Sequence, residues 1–117
     1  MKSNPIYLVL VSYFDHKPDS LLAAFARKEI AERFIPVQQG IYFPYKQWGI
    51  AECELVKELD VETEDVFVLM VESREDEPYV PLLSFDSEDG AERYVQTKKD
   101  AGEFLYCDYE VMGTKLD

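Results

Sequence analysis

The sequence predicts an α+β fold of two tandem ββαβ repeats, with two helices packed on a mainly antiparallel sheet. Three observations indicate this. The chain has 117 residues, 47% of them hydrophobic, which suffices for one compact domain over 1–117 with its own core. Residues 6–35 match residues 66–95 without a gap. Both segments combine strand-like apolar runs with polar connections. The repeats are therefore expected at about 5–58 and 65–112.

The internal match contains seven identities in 30 aligned positions, where shared composition alone would give roughly two. Similar residues occupy many of the other positions, such as Ile6 and Val66 or Phe34 and Tyr94. The identical pairs are Val11/Val71, Pro18/Pro78, Leu22/Leu82, Phe25/Phe85, Ala31/Ala91, Glu32/Glu92 and Arg33/Arg93. A tandem duplication explains this pattern better than coincidence, which is the alternative.

Each repeat begins with two predicted strands. The first strands, 6–14 and 66–73, are apolar runs, and a polar connection with a proline follows each of them. Residues 20–35 alone resemble one long helix. Their partner segment carries Pro81, which is unsuited to a helix interior, so we expect second strands that end at Phe25 and Phe85. If 20–25 is helical instead, a ferredoxin-like βαββαβ fold is the alternative.

A helix and a third strand complete each repeat. Asp86 or Ser87 can cap the second helix, and apolar stripes predict the buried face of each helix. The third strands are expected at about 50–57 and 104–111. Either Cys53 aligns with Cys107, or Glu54 aligns with Glu110. In both registers the two cysteines fall at alternating strand positions and are expected to be buried.

The sequence offers little for catalysis. His16 is the only histidine, and it lies beside Asp15 in a predicted loop. The spacing of the two cysteines fits neither a zinc site nor a disulfide scaffold. The acidic segments 60–65 and 86–90 do not fit the EF-hand pattern. No phosphate-binding loop, dinucleotide fingerprint or nucleophile elbow occurs. We therefore expect no enzyme activity, no cofactor and no metal site.

Charge is the strongest functional signal. The chain has 24 Asp and Glu against 12 Lys and Arg, a net charge of −12, which disfavours direct binding to nucleic acid or anionic membranes. Eleven acids lie between residues 52 and 77, opposed there by two basic residues. They are Glu52, Glu54, Glu58, Asp60, Glu62, Glu64, Asp65, Glu72, Glu75, Asp76 and Glu77. This segment predicts either a surface for a basic partner or an acidic face that maintains solubility.

Two carboxylates of this segment have a spacing like that of DNA. On the third strand, Glu52 and Glu54 face outward while Ala51, Cys53 and Leu55 face inward. Carboxylates two residues apart on a strand are separated by about 6.6 Å. Two axial phosphate steps of one DNA strand cover about 6.8 Å. An acidic surface of this kind can imitate nucleic acid and occupy a basic groove.

A second candidate surface is aromatic. It comprises Tyr42, Phe43, Tyr45 and Trp48, which lie between the first helix and the third strand. Aromatic anchors beside charged residues are typical of protein interfaces. The alternative is that these side chains cover one end of the sheet. Pro44 and Gly49 indicate an irregular path, which favours the exposed arrangement.

These features predict a non-enzymatic inhibitor or adaptor that binds a basic, nucleic-acid-handling protein. Phage anti-restriction and anti-CRISPR proteins and toxin immunity proteins include small acidic proteins of this style, although no family motif is present. The alternative is a small-molecule regulatory module with a ligand cleft between the repeats, for which a homodimer is one possible assembly. Without a signal peptide, membrane span or disulfide scaffold, we expect a cytosolic protein, in the host cell if a phage or mobile element encodes it.

Overall fold

The computed structural model describes residues 4–13, 18–41, 45–58, 62–75 and 77–117. These residues form strands and helices in the order ββαβ followed by ββαβ. The strands are β1 (Pro5–Ser12), β2 (Ser20–Phe25), β3 (Gln47–Val56), β4 (Asp65–Glu72), β5 (Val80–Phe85) and β6 (Asp108–Lys115). The helices are α1 (Lys28–Ile41) and α2 (Glu88–Asp100). The prediction of an α+β fold is confirmed.

The two hairpins have the same register at an offset of 60 residues. Tyr7 pairs with Phe25 in β1–β2, and Phe67 pairs with Phe85 in β4–β5. A register shift also interrupts both hairpins at the same place, after Val9 in the first and after Leu69 in the second. Because Ser20–Phe25 is a strand, the ferredoxin-like alternative is wrong.

All six strands of the described chain form one curled sheet in the order β2-β1-β3-β5-β4-β6. The sheet is mixed, whereas the sequence predicted only that it is mainly antiparallel. The pairs β1–β2, β1–β3, β4–β5 and β4–β6 are antiparallel, and β3–β5 is parallel. At the outer edges, a parallel bridge joins Ala24 to Leu116. The curl therefore brings the first and last strands of the sheet together.

The curled sheet has an apolar interior, and the helices lie outside it. Alternation along the strands directs Leu8 and Val68 into the interior cluster. The next residues along these strands, Val9 and Leu69, lie in the two outer clusters. In these clusters the sheet packs against Ala31 of α1 and against the Ala91 region of α2. Each half thus contributes to the shared interior and has a helix-covered outer core.

The third strands begin and end elsewhere than predicted. β3 covers Gln47–Val56 rather than 50–57, and β6 covers Asp108–Lys115 rather than 104–111. Both proposed alignments of these strands are wrong, because Tyr7 lies opposite Glu52 while Phe67 lies opposite Gly113. The third strands correspond at an offset of 61 residues. Cys53 is buried as expected, but Cys107 precedes β6 and is exposed.

The second helix begins as the sequence suggested. Ser87 is its N-cap, and its side chain accepts a hydrogen bond from the Gly90 N–H at 3.0 Å. Glu88 and Asp89 occupy the first turn, while Lys98 and Lys99 occupy the last, so both ends complement the helix dipole. Neither helix in the described ranges has the length and apolar character needed to span a bilayer.

Candidate functional site: the acidic end of the sheet

The strand directions divide the acidic residues between two ends of the sheet. β3, β5 and β6 run toward one end, where β1 and β4 begin. We call this the acidic end and define it by Glu58, Glu62, Glu64 and Asp65. The opposite end, where β4 finishes at Glu72, is called the distal end.

The structure does not bring the acids of 52–77 into one surface. β4 runs from Asp65 to Glu72, so these residues lie about 23 Å apart at the usual rise of a strand. Between them, Val66 and Val68–Val71 are buried and Phe67 is half-buried. The exposed Glu75 and Glu77 follow Glu72 at the distal end. The described acids that follow β3 therefore form two separate groups, one at each end of β4.

The acidic end contains a polar groove of about 470 Å³. Its lining includes Glu62, Glu64 and Asp65, whose side chains are all exposed. Lys115 lies opposite Asp65 in the β4–β6 ladder and supplies a positive charge. The Leu116 N–H donates to the Glu64 carbonyl at 2.8 Å, which extends this ladder beyond β4. The sheet thus holds the backbone of the groove while its carboxylates face solvent.

Glu58 is fixed at the acidic end by contacts with α2 and with the residue before its N-cap. Its carboxylate forms an ion pair with Arg93. Its backbone N–H donates to Asp86 Oδ2 at 2.9 Å, and Asp86 is only 9% exposed. Gly90 permits this close approach, because a Cβ at that position would lie 3.1 Å from Glu58 Oε2. The sequence predicted Asp86 only as a possible cap, so its hydrogen bond with Glu58 was missed.

Glu52 and Glu54 lie on the outer face of β3, as expected from the alternation with buried Cys53 and Leu55. Glu52 is exposed and accepts a hydrogen bond from the Tyr7 hydroxyl at 3.3 Å. Burial first, and then this carboxylate, raise the pKa of Tyr7. Glu54 is half-buried and accepts the Asn4 N–H at 2.7 Å. Glu52 is therefore the more available of the two carboxylates.

The distal end holds a polar pair of its own. The Tyr79 hydroxyl donates to Asp108 Oδ2 at 2.6 Å. This hydrogen bond is the main reason that the pKa of Tyr79 rises to about 12, and it lowers the pKa of Asp108. Glu72 lies opposite Asp108 in the β4–β6 ladder, which adds to the negative charge at this end.

The predicted aromatic surface is described only in part. Tyr45 and Trp48 are half-buried, with ring centroids 5.6 Å apart. Trp48 also packs against the core beneath α1, as the sheet-covering alternative proposed. Tyr13, which is 53% exposed, stacks on Tyr45 at 4.7 Å. The described part of this surface is thus mostly a cover for the distal end.

A second aromatic cluster was missed. Phe104 contacts Tyr106 and Tyr109 with centroids 5.3 and 5.8 Å away. The ammonium of Lys99 lies 5.0 Å from the centroid of the Tyr109 ring. The sequence contained a sign of this cluster. At the offset of 61 residues that relates β3 to β6, Tyr106 corresponds to Tyr45 and Tyr109 corresponds to Trp48.

An apolar cleft of about 320 Å³ lies between strands of the two halves. Gly49, Ile50, Ala51 and Glu52 of β3 line one side of it. The remaining lining residues are Leu10, Pro18, Val80 and Pro81. Among the lining residues that the structure describes, Glu52 is the one that carries a charge. The cleft lies where the sequence analysis placed a ligand cleft in its alternative function.

Several predicted residues lie outside the described part of the chain. These are Asp60, Asp76, Tyr42, Phe43 and the Asp15–His16 pair. Among the described residues, no group of three or more His, Cys, Asp or Glu side chains is arranged to hold a metal ion. No protein-family model, curated protein or solved structure matches the chain.

The acidic end is chemically suited to binding cations. Its exposed carboxylates can accept hydrogen bonds from lysine or arginine side chains, and charge-assisted bonds of this kind are stronger than neutral ones. The sheet positions the backbone of Glu64 and Asp65 before a partner arrives, which lowers the cost of ordering this part of the surface.

Proposed function

We propose that the protein is a non-enzymatic inhibitor or adaptor whose acidic end occupies the basic groove of a nucleic-acid-handling protein. The observation that carries this proposal is the groove of the acidic end, which Glu62, Glu64 and Asp65 line with exposed carboxylates. The overall charge of −12 adds long-range attraction for a basic partner and speeds association.

Mimicry of nucleic acid is the finer form of this proposal. Glu52 and Glu54 are two residues apart on β3, and such pairs on a strand are separated by about 6.6 Å. This spacing approximates two axial phosphate steps of DNA. Inhibition follows from occupation of the groove, since the bound acidic protein excludes the nucleic acid. Phage anti-defence proteins and immunity proteins would be examples of this style of action.

The experiment is an affinity capture from the native host with matched charge variants. The test variant is Glu62→Gln/Glu64→Gln/Asp65→Asn, and the control is Glu75→Gln/Glu77→Gln at the distal end. We expect wild type and the control to retain a basic nucleic-acid-binding protein that the test variant loses. Excess double-stranded DNA should release that protein. A partner retained equally by all three forms, or unaffected by DNA, would refute the proposal.

The second candidate function is a small-molecule regulatory module. The apolar cleft favours it, because residues of both halves line a space of about 320 Å³, near the lower limit for ligand pockets. A thermal-shift screen with metabolites and divalent ions tests it, since a ligand in excess raises the melting temperature. A flat response across the screen counts against this function.

We also propose that the chain is a tandem duplication of a ββαβ unit and that it acts in the cytosol. The equal hairpin registers, with interruptions at the same positions, support the duplication. The parallel contacts support it too, because Leu55 pairs with Ser84 as Leu116 pairs with Ala24. The free thiols of Cys53 and Cys107 suit a reducing compartment.

A further inference from the structure

The two halves of the sheet meet along a seam that is paired only at one end. β3 and β5 pair at Leu55–Ser84 and Val56–Phe85, and no other pairing joins these two strands. Away from these pairs the strands diverge. The apolar cleft of about 320 Å³ opens in this gap, between Gly49–Glu52 and Val80–Pro81. We call this space the β3 seam.

The backbone of β3 offers hydrogen-bonding groups to the seam. The Leu55 N–H donates to the Asn4 carbonyl, on the β1 side. Since successive residues of a strand direct their N–H and C=O groups to opposite edges, the even-numbered residues of β3 face β5. Ile50 and Glu52 line the seam. They therefore present donors and acceptors at positions where no strand of the described chain pairs with them.

We propose that the β3 seam binds one extended peptide segment of a partner protein by strand addition to β3. This inference rests on the proposed function, because it assumes a basic protein partner. The segment pairs with β3 rather than β5, since Pro81 on the β5 side has no N–H to donate. Pairing with Ile50 and Glu52 forms up to four backbone hydrogen bonds, two for each residue.

The seam also specifies the side chains of the segment. An added strand directs alternate side chains to the two faces of the sheet. On the inner face they meet Leu10 and Ala51, which are apolar. On the outer face they meet the exposed carboxylate of Glu52, beside Ile50. The fitting segment is therefore one in which apolar and basic residues alternate.

The second seam, between β6 and β2, lacks these features. In the β4–β6 ladder, Glu110 occupies the position of Gly49, and Gly113 occupies the position of Glu52. Gly49 has no side chain to fill the β3 seam. The space beside it ends at Pro18, because a Cβ built at Gly49 would lie 3.6 Å from Pro18 Cγ. Open space and an outer carboxylate thus occur together at the β3 seam.

The test uses capped Lys-Val-Lys-Val-Lys peptides with full-length protein. One peptide is unmodified. A second is methylated at the backbone amide nitrogens of its lysines, and a third at the backbone amide nitrogens of its valines. In an added strand, one alternate set of N–H groups faces β3 and the other faces away. We expect the unmodified peptide to slow amide exchange at Ile50 and Glu52, by about tenfold when free peptide is at ten times its Kd. Methylation of one set, but not the other, should abolish binding.

Side-chain variants separate this inference from the proposed function. Glu52→Gln should weaken peptide binding about two- to fivefold, the effect of an exposed ion pair, while Glu32→Gln, at an exposed position of α1, should leave it unchanged. The inference would be overturned if the peptide does not bind at millimolar concentration or if both methylations have the same effect. It would also be overturned if the bound peptide slows amide exchange elsewhere but not at Ile50 and Glu52. Equal binding of free lysine would instead assign the seam to a small cation. None of these outcomes involves the acidic-end variants, which test the proposed function alone.

Discussion

Asp86 connects the core to the acidic end, and its substitution is the sharpest test of how that end is positioned. The side chain is 9% exposed, and its Oδ2 accepts the Glu58 N–H at 2.9 Å. Asp86→Ala removes this acceptor, so the ion pair of Glu58 with Arg93 remains as the contact described above between the chain after β3 and α2. Asp86→Asn keeps an oxygen at the same place but removes its charge.

The expected loss follows from the burial of the two partners. A hydrogen bond to a charged group contributes about 1.5–3 kcal/mol. Glu58 itself is exposed, so water can replace part of the bond, and we expect Asp86→Ala to cost about 1.5–2 kcal/mol. With a urea m-value of about 2 kcal/mol/M, the unfolding midpoint falls by about 1 M. Asp86→Asn should lose about half as much, since neutral hydrogen bonds are roughly half as strong.

Urea denaturation and amide exchange measure the two parts of this prediction. Asp89→Ala is the matched control, because Asp89 is exposed in the first turn of α2, where a charge contributes less than about 1 kcal/mol. The Glu58 amide should exchange faster in Asp86→Ala and normally in the control. If Asp86→Ala costs no more than Asp89→Ala and the Glu58 amide keeps its protection, the anchoring role is refuted.

Three further predictions concern the core, a titration and the thiols. Phe85→Ala should lower the free energy of unfolding by about 3–5 kcal/mol in urea denaturation, because Phe85 is 1% exposed; a loss below 1.5 kcal/mol would contradict its core role. Tyr79, whose pKa is about 12, should contribute stability that is full below pH 10 and lost toward pH 12. Tyr79→Phe should remove this loss together with a phenol signal that titrates near pH 12, and a titration in which Tyr79→Phe removes a phenol signal near pH 10 would disprove the Asp108 bond. Iodoacetamide should label exposed Cys107 well before Cys53, since burial raises the pKa of the Cys53 thiol; equal rates in mass spectrometry would oppose this.

The paired strands could be predicted because residues 6–35 resemble residues 66–95. Ser20–Phe25 alone has the composition of a helix, and its matching segment with Pro81 identified it as a strand. Hydrophobic alternation then assigned the faces, which explains why Cys53 and Leu55 are buried as predicted.

The third strand of the second half could not be placed from its composition. Phe104 and Tyr106 have high strand propensity, yet they lie in the connection between α2 and β6. Gly102, with φ of 70°, follows the helix, and the Glu103 N–H closes the turn on the Lys98 carbonyl. The aromatic rings then pack on Tyr109 and Lys99 instead of joining the sheet. Tertiary packing, rather than local propensity, sets this boundary.

The position of the acidic residues in space was also beyond the sequence pattern. Acids that are close together in the sequence lie at opposite ends of β4. This buried strand carries the chain from one end of the sheet to the other. Conversely, Asp86 and Glu58 are 28 residues apart in sequence and share a hydrogen bond. A run of acidic residues in the sequence therefore gives the charge of a segment, whereas the strand order of the sheet determines which of these charges lie close together.

Comparison of the two halves bears on why the acids are present. Glu52 and Glu54 of the β1–β3 ladder occupy the positions that Gly113 and Lys115 occupy in the β4–β6 ladder. The same strand geometry thus accepts acidic, neutral and basic residues at these outer positions, so the fold does not require carboxylates there. A general need for solubility would be met by acids on either half. Under the proposal of strand addition, Glu52 is explained by the basic segment that pairs with β3, and Gly113 at the corresponding position of β6 would not attract such a segment.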